Sequence, residues 1–173
     1  MDLKNEIRDV KDFPKPGIVF KDITTLLKNP DARKYAVEQF KNHYQDKKID
    51  VIVGPESRGF IFGSILAHEL HVSFVPLRKP GKLPAEVEKQ EYELEYGTDT
   101  IEIHKDAINE GDNVLVVDDL IATGGTCEAA AKLIEKLGGN VTGFAFLIEL
   151  SFLNPREKLK NYDIFSLIDY KEE

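Results

Sequence analysis

Apolar residues follow two patterns along the chain, and the two patterns alternate. In the first pattern apolar residues are nearly continuous, which is typical of a strand buried on both faces. In the second they recur every three or four positions, as on one side of an amphipathic helix. Continuous runs occupy residues 49–53, 72–77, 114–117, 141–148 and 164–168. Helical spacing occupies residues 2–10, 31–47, 60–70 and a segment carrying Ala130, Leu133, Ile134 and Leu137, and a short helix begins within 154–159. The alternation predicts an α/β fold with a mainly parallel sheet, flanked by helices and joined by right-handed crossovers.

A third pattern, strict alternation of apolar and polar side chains, covers residues 91–104. It predicts an antiparallel hairpin that turns at Gly97 and Thr98. The same alternation places Glu91, Glu93 and Glu95 on one face. The residues alone favour a solvated face for these carboxylates.

The segment 12–23 combines a chain break with a short extended stretch. Two prolines and a glycine within 12–17 exclude a helix there, and an extended stretch follows at 18–23. Taken by itself, this stretch reads as a connector with a buried Phe20.

Composition narrows the class of protein. The chain has 173 residues, of which 42% are hydrophobic, enough for a single domain, 1–173, with a sizeable core. Its formal net charge of −8 disfavours a role in binding nucleic acid. A single cysteine, Cys127, excludes an internal disulfide and fits a reducing compartment. The charged N-terminus and the lack of an apolar run near the roughly 20 residues of a membrane span lead us to expect a cytoplasmic protein without membrane contact.

The segment 113–126 carries the clearest chemistry. The apolar run 114–117 is followed by two carboxylates, Asp118 and Asp119, then by a loop with two glycines, then by a helix. Glycines let backbone N–H groups approach an anion, and a helix N-terminus carries partial positive charge. In open α/β sheets, ligands bind at the carboxyl ends of the strands. The segment therefore predicts a site for an anionic ligand that also presents sugar hydroxyls. The loop lacks the lysine of a Walker A motif, which disfavours an ordinary P-loop NTPase.

Two further loops offer positive charge. Residues 54–59 follow a predicted strand and contain Arg58, which from the residues alone is equally an ion-pair partner or a ligand contact. Residues 78–84 contain Arg78, Lys79 and Lys82 among turn-forming residues. This second loop is either simply solvated or close to a bound anion.

The stretch Val-Val-Asp-Asp-Leu-Ile-Ala-Thr-Gly-Gly-Thr, ending at Thr126, resembles the phosphoribosyl-pyrophosphate (PRPP) signature of the type I phosphoribosyltransferases. The likeness covers nearly the whole chain. It implies that family's fold, with an N-terminal hood within residues 1–30 and an antiparallel flexible-loop hairpin. Two further motifs, Phe-Pro-x-Pro-Gly-Ile-x-Phe-x-Asp-Ile from Phe13 and Leu-Glu-Tyr-Gly from Leu94, resemble those of members that act on adenine. The implied reaction joins adenine to PRPP and gives AMP and pyrophosphate.

The resemblance also implies roles around the base. Phe20 would stack on one face of the purine and Leu150 would lie on the other. Main-chain groups of Val19 and Lys21 would read its edge. Glu95 would donate and accept the proton of the base. Tyr96, next to it in the motif, would contact substrate.

On the PRPP side, Asp118 and Asp119 would stabilise the cation-like ribose and hold its hydroxyls or the water shell of a metal. The loop Ala122, Thr123, Gly124, Gly125 and Thr126 would bind the 5′-phosphate. The residues expected near pyrophosphate are Ser57, Arg58, Arg78, Lys79 and Lys82, with a cis peptide between Glu56 and Ser57. Mg²⁺ would be held mainly by PRPP and not directly by the protein. A homodimer is implied, with Lys82 near the interface.

Two alternatives stay open at this point. One is a phosphoribosyltransferase for another purine, because the PRPP half of the site is shared. The other is a non-catalytic regulator that senses nucleotides and binds nucleic acid.

Overall fold

The computed structural model describes residues 1–94 and 96–172. Its strands are β1 (Arg8–Lys11), β2 (Val19–Asp22), β3 (Val51–Pro55), β4 (Ser73–Leu77), β5 (Val87–Glu93), β6 (Thr98–His104), β7 (Asn113–Ile121), β8 (Asn140–Leu150) and β9 (Ile164–Tyr170). Its α-helices are α1 (Thr24–Lys28), α2 (Pro30–Tyr44), α3 (Gly59–Leu70) and α4 (Gly125–Lys136).

A parallel sheet of five strands, in the order β4-β3-β7-β8-β9, forms the centre of the molecule. Its middle strand, β7, shows why the apolar runs are continuous. Val114 and Val116 belong to the core cluster that includes α4, whereas Leu115 and Val117 belong to the opposite cluster, formed with α2 and α3. All four side chains are inaccessible to solvent, which confirms a strand covered on both faces. The parallel arrangement brings the C-terminal ends of β3, β7 and β8 to one edge.

Two antiparallel ribbons lie outside this sheet. β1 pairs with β2 inside the N-terminal hood, and β5 pairs with β6 to form the hairpin predicted from alternation. Neither ribbon joins the central sheet. No helix in the described part of the chain has the length and apolar character needed to cross a lipid bilayer.

The prediction of an N-terminal helix at residues 2–10 is wrong. The chain forms only one 3-10 turn, Leu3–Glu6, and then the strand β1. Leu3 is the buried residue of that turn. From Arg8 onward the backbone pairs with β2, so hydrogen bonds to a distant segment replace those within a helix.

Two other boundaries differ from expectation. The short helix expected within 154–159 is instead a pair of 3-10 turns, Ser151–Leu153 and Pro155–Glu157. Asn154 between them adopts a left-handed conformation with φ of 52°, which stops continuous helix. β7 also runs on to Ile121, because Asp118 and Leu120 keep pairing with β8.

Candidate active site

The carboxylates Asp118 and Asp119 lie near the end of β7, at the edge where the loops converge. Asp119 is 2% exposed, and its main-chain N–H donates to Asp118 Oδ1 at 2.8 Å. Within residues 1–94 and 96–172 its buried Oδ2 atom has no hydrogen-bond partner, although Arg58 Nε lies 3.1 Å away as an ion-pair partner. An acceptor oxygen held in this way is available to a donor on a ligand.

Burial strongly affects the protonation of this pair. Desolvation, followed by the charge of Asp119, raises the pKa of Asp118 well above its usual range. Desolvation also raises the pKa of Asp119, against the lowering effect of Arg58. Two adjacent carboxylates share one sparsely solvated place, so positive charge arriving on a ligand is stabilised there.

The loop after β7 has the predicted form of strand, glycine turn and helix start. Gly124 has φ of +86°, and a Cβ there would lie 3.1 Å from the carbonyl oxygen of Pro155. A side chain is therefore disfavoured by both conformation and space. α4 begins at Gly125, so its free N–H groups lie beside Thr123 and Thr126. Cys127 is buried and its pKa is raised, first by desolvation, which fits the small core residue expected there rather than a nucleophile.

The loop after β3 packs directly against β7. The peptide between Glu56 and Ser57 is cis, as predicted. At Gly59, the first residue of α3, a Cβ would lie 2.8 Å from Pro55 Cδ and 3.0 Å from Asp118 Oδ1. The absence of a side chain at Gly59 thus lets the two loops meet.

Glu56 organises the cationic loop 78–84, a role that its local sequence does not signal. Its carboxylate accepts a hydrogen bond from the main-chain N–H of Lys79 and lies 3.2 Å from Lys82 Nζ and 3.6 Å from Arg78 Nη2. The hydrogen bond from Lys79, followed by that from Lys82, lowers the pKa of Glu56 against the effect of burial. Arg78 and Lys82 therefore lie beside the loop of Ser57 and Arg58, and the assignment of these residues to pyrophosphate stays a prediction.

The side chain of Lys79 extends to the β5–β6 hairpin. Its ammonium group pairs with Asp99 and lies 3.2 Å from the hydroxyl of Tyr92, so its side chain ties the cationic loop to the hairpin. A cavity of about 130 Å³ lies among these groups, and its lining includes Glu56, Arg78, Lys79, Asp118 and Thr126. Residues from all three segments predicted to bind anions thus face one small space.

Arg58 links this space to the hood. Its guanidinium carbon is 5.4 Å from the centre of the Phe20 ring, and its Nε is 3.1 Å from Asp119. Phe13 contacts Phe20 edge to face, with ring centres 5.2 Å apart. Val19 and Lys21 flank Phe20 on β2, and Leu150 is the last residue of β8. The hood therefore lies beside the carboxylates.

The hairpin lies against the start of α4. A Cβ on Gly125 would be 3.6 Å from the carbonyl oxygen of Glu93 and 3.6 Å from the Tyr92 ring. Tyr96 is 81% exposed, and Lys15 of the hood lies over its ring at 6.0 Å. Glu95 lies outside the described residues, so its assignment as proton donor and acceptor stays a prediction.

The carboxylate pair fits a hard divalent cation. Mg²⁺ prefers oxygen ligands, keeps several of its waters, and is commonly bound through one or two carboxylates together with substrate phosphates. Asp118 and Asp119 supply such oxygens, and Asp119 Oδ2 accepts no hydrogen bond from the described residues, its near neighbour being the ion-pair partner Arg58. These residues suit a water-mediated contact to a metal that phosphates carry.

Comparison with known proteins shows which family the chain is similar to. A family model described as the phosphoribosyl transferase domain matches residues 22–172. The adenine phosphoribosyltransferase of Acaryochloris marina (strain MBIC 11017) is 58% identical over 170 residues, covering 98% of this chain and 100% of that protein. The crystal structure of adenine phosphoribosyltransferase from Thermoanaerobacter pseudethanolicus matches with a TM-score of 0.95 and 57% identity over 98% of both chains. The Saccharomyces cerevisiae enzyme, complexed with adenine and D-2,5-dideoxy-2,5-imino-altritol 1,6-bisphosphate, matches with a TM-score of 0.91 and 47% identity over 95% of this chain and 96% of that one.

Proposed function

The chain belongs to the phosphoribosyl transferase family, among its adenine phosphoribosyltransferases, and from this we infer that it transfers the 5-phosphoribosyl group of PRPP to adenine. The products are AMP and pyrophosphate, as in purine salvage. One observation carries the inference in the structure: Arg58 contacts both the Phe20 ring and Asp119. A single side chain thus joins the expected base site to the expected ribose site.

At the ribose, the bond from the anomeric carbon to the pyrophosphate oxygen breaks while a bond to N9 of adenine forms. Positive charge develops on the sugar ring, and Asp118 and Asp119 stabilise it. Burial raises the pKa of both carboxyl groups despite the nearby Arg58, so their negative charge is costly before a cationic ligand arrives. The interaction therefore strengthens as the transition state forms, which is the condition for catalysis.

The phosphates are bound from two sides. N–H groups at the start of α4, with the hydroxyls of Thr123 and Thr126, hold the 5′-phosphate. Arg58, Arg78 and Lys82 neutralise the departing pyrophosphate, and Ser57 contacts it. Glu56 keeps Arg78 and Lys82 in place until the more highly charged pyrophosphate competes for them.

Magnesium belongs to this proposal as the partner of PRPP. When bound, Mg²⁺ neutralises phosphate charge and orients the leaving group. Asp118 and Asp119 accept hydrogen bonds from its water shell or from the ribose hydroxyls. The residues do not need to bind the metal directly.

The base is held by the hood. Phe20 and Leu150 enclose its two faces, and main-chain groups of Val19 and Lys21 meet the edge that carries the exocyclic amine. Adenine presents a donor there, whereas hypoxanthine and guanine present an acceptor. A mismatch of this kind leaves polar groups unpaired at about 1–3 kcal/mol each. From the resemblance to the family, we assign to Glu95 the proton that N9 of adenine loses as its bond to the ribose forms. Tyr96 is assigned a contact with the substrate on the same basis.

Closure and assembly complete the proposal. Movement of the loop around Lys82 over the site excludes water, which would otherwise hydrolyse PRPP. We propose a homodimer and a cytoplasmic location, the latter supported by the free, buried thiol of Cys127. Sedimentation velocity of the purified protein tests the dimer.

The function is tested by incubating the protein with PRPP, Mg²⁺ and one purine at a time, and measuring pyrophosphate release. We expect release with adenine and not with hypoxanthine or guanine. Equal release with the oxo-purines would contradict the assignment of the hood.

A further inference from the structure

Lys21 is an unusually buried lysine in the base-binding hood. Its side chain is 6% exposed, and its ammonium group lies 2.9 Å from Asp9 Oδ1. Asp9 is its direct partner across the β1–β2 ribbon. A buried cation is costly unless it is paired, so its position reflects specific contacts.

The second contact of Lys21 is the ring of Tyr170, whose centre lies 4.3 Å from Nζ. Lys4 lies over the same ring at 5.0 Å. A cation over an aromatic face contributes about 0.5–1 kcal/mol when exposed and about 2 kcal/mol when desolvated. Because Lys21 is buried, its contact belongs to the stronger kind.

Tyr170 connects this contact to the other side of the base site. It ends β9, where its register partner on β8 is Leu150. The hydroxyl of Ser151, the residue after Leu150, donates to the Tyr170 carbonyl oxygen at 3.2 Å. The strand end that carries Leu150 is therefore fixed to Tyr170, and Tyr170 is fixed to Lys21.

The hood needs such an anchor. A two-stranded ribbon is marginally stable by itself, and β1–β2 makes no strand pairing with the central sheet. Along β2, neighbouring side chains point to opposite faces, so Phe20 faces away from Lys21 and Tyr170. Fixing Lys21 on one face thus sets where Phe20 stands on the other.

We propose that Lys21 and Tyr170 are positioning residues that set the distance between Phe20 and Leu150, and so determine affinity for the adenine ring. This rests on the proposed function and deepens it. It assigns a task to the side chain of Lys21, whose main chain alone meets the base. It also predicts separate control of the two substrates, because the PRPP loops follow β3 and β7.

The test measures KM for adenine, KM for PRPP and kcat in full-length variants, with the thermal unfolding of each. Tyr170→Leu removes the aromatic face but keeps an apolar side chain, and Tyr170→Phe retains the face as the matched control. We expect Tyr170→Leu to raise KM for adenine about five- to thirty-fold, equivalent to roughly 1–2 kcal/mol. KM for PRPP should change by less than about twofold, and Tyr170→Phe should resemble the wild type.

Lys21 supplies an independent pair of variants. Lys21→Met removes the charge at similar length and should also raise KM for adenine. Lys21→Arg should recover most of that loss, because a guanidinium also stacks on aromatic rings. This pair decides the matter if Tyr170→Leu fails to fold.

The proposal would be overturned by equal KM for adenine in the Leu and Phe variants of Tyr170, or by a rise of both KM values in step with lost thermal stability. Equal effects of Met and Arg at position 21 would do the same. A wild-type protein that releases no pyrophosphate with adenine would instead refute the proposed function.

Discussion

Gly59→Ala should damage the active site through a single added methyl group. The new Cβ would lie 2.8 Å from Pro55 Cδ, 3.0 Å from Asp118 Oδ1 and 3.1 Å from the carbonyl oxygen of Val117. Two of these neighbours are backbone or ring atoms that cannot turn aside. The structure must therefore move α3 away from β7 or displace the Asp118 carboxylate.

The magnitude follows from overpacking a close contact, which costs about 1–3 kcal/mol. For a chain of this size that lowers the melting temperature by roughly 2–12 °C. A displacement approaching 1 Å at a reacting centre costs on the order of 10²-fold in rate. We therefore expect kcat/KM for PRPP to fall about 10- to 100-fold.

Gly143→Ala is the matched control. A Cβ at Gly143 would lie 2.9 Å from the carbonyl oxygen of Asp163, so the variant should lose comparable stability. Gly143 lies in the first half of β8, toward the edge of the sheet opposite the candidate site. The activity of the Gly143→Ala variant below its melting temperature should therefore be normal. Steady-state kinetics and thermal unfolding of both variants give the comparison. Equal loss of activity in both, or none in Gly59→Ala, would refute the reasoning.

Three further predictions concern the charged groups. Asp118→Asn should lower turnover by about 10²–10³-fold yet raise the melting temperature at pH 7.5 by a few degrees. Folding raises the pKa of Asp118 above its unfolded value of about 4. The stability of the wild type therefore falls as the pH rises from about 4 to the folded pKa. The stability advantage of Asp118→Asn should accordingly shrink toward pH 4, which a pH series of melting curves measures. Arg58→Ala should raise KM for PRPP more than KM for adenine. Arg58→Lys should raise KM for PRPP less than Arg58→Ala does. A larger effect on adenine would assign the guanidinium to the base. Glu95→Gln should lower turnover with adenine by roughly 10²-fold without admitting hypoxanthine, and full activity in a two-substrate assay would remove Glu95 from the mechanism.

The parts of the fold that the sequence predicts are those with local causes. The apolar run of β7 can be identified from a few residues, because burial on two faces restricts its positions to apolar side chains. The turn at Gly124 can be identified in the same way, because positive φ favours glycine. The parallel sheet follows, since alternating strands and helices have few alternative topologies.

The errors have long-range causes. Residues 2–10 have helical spacing, yet Arg8–Lys11 pairs with β2, a partner that no local window includes. Similarly, three cations at 78–84 indicate a nearby anion, but the groups that hold them are Glu56 from one loop and Asp99 from the hairpin. Contacts of this kind depend on the folded topology, and an isolated motif does not determine them.

The proposed anchoring of the hood by Tyr170 predicts an order of folding during synthesis on the ribosome. Lys21 leaves the ribosome early, and the first four strands of the central sheet are synthesised before β9, which ends at its partner Tyr170. Roughly 150 residues separate the two, which take about 8–30 s to translate at about 5–20 residues per second. The segments proposed to bind PRPP, from β3 to α4, emerge well before this point. We therefore expect the proposed sugar-phosphate half of the site to assemble first on the nascent chain, and the proposed purine site to close only when β9 docks.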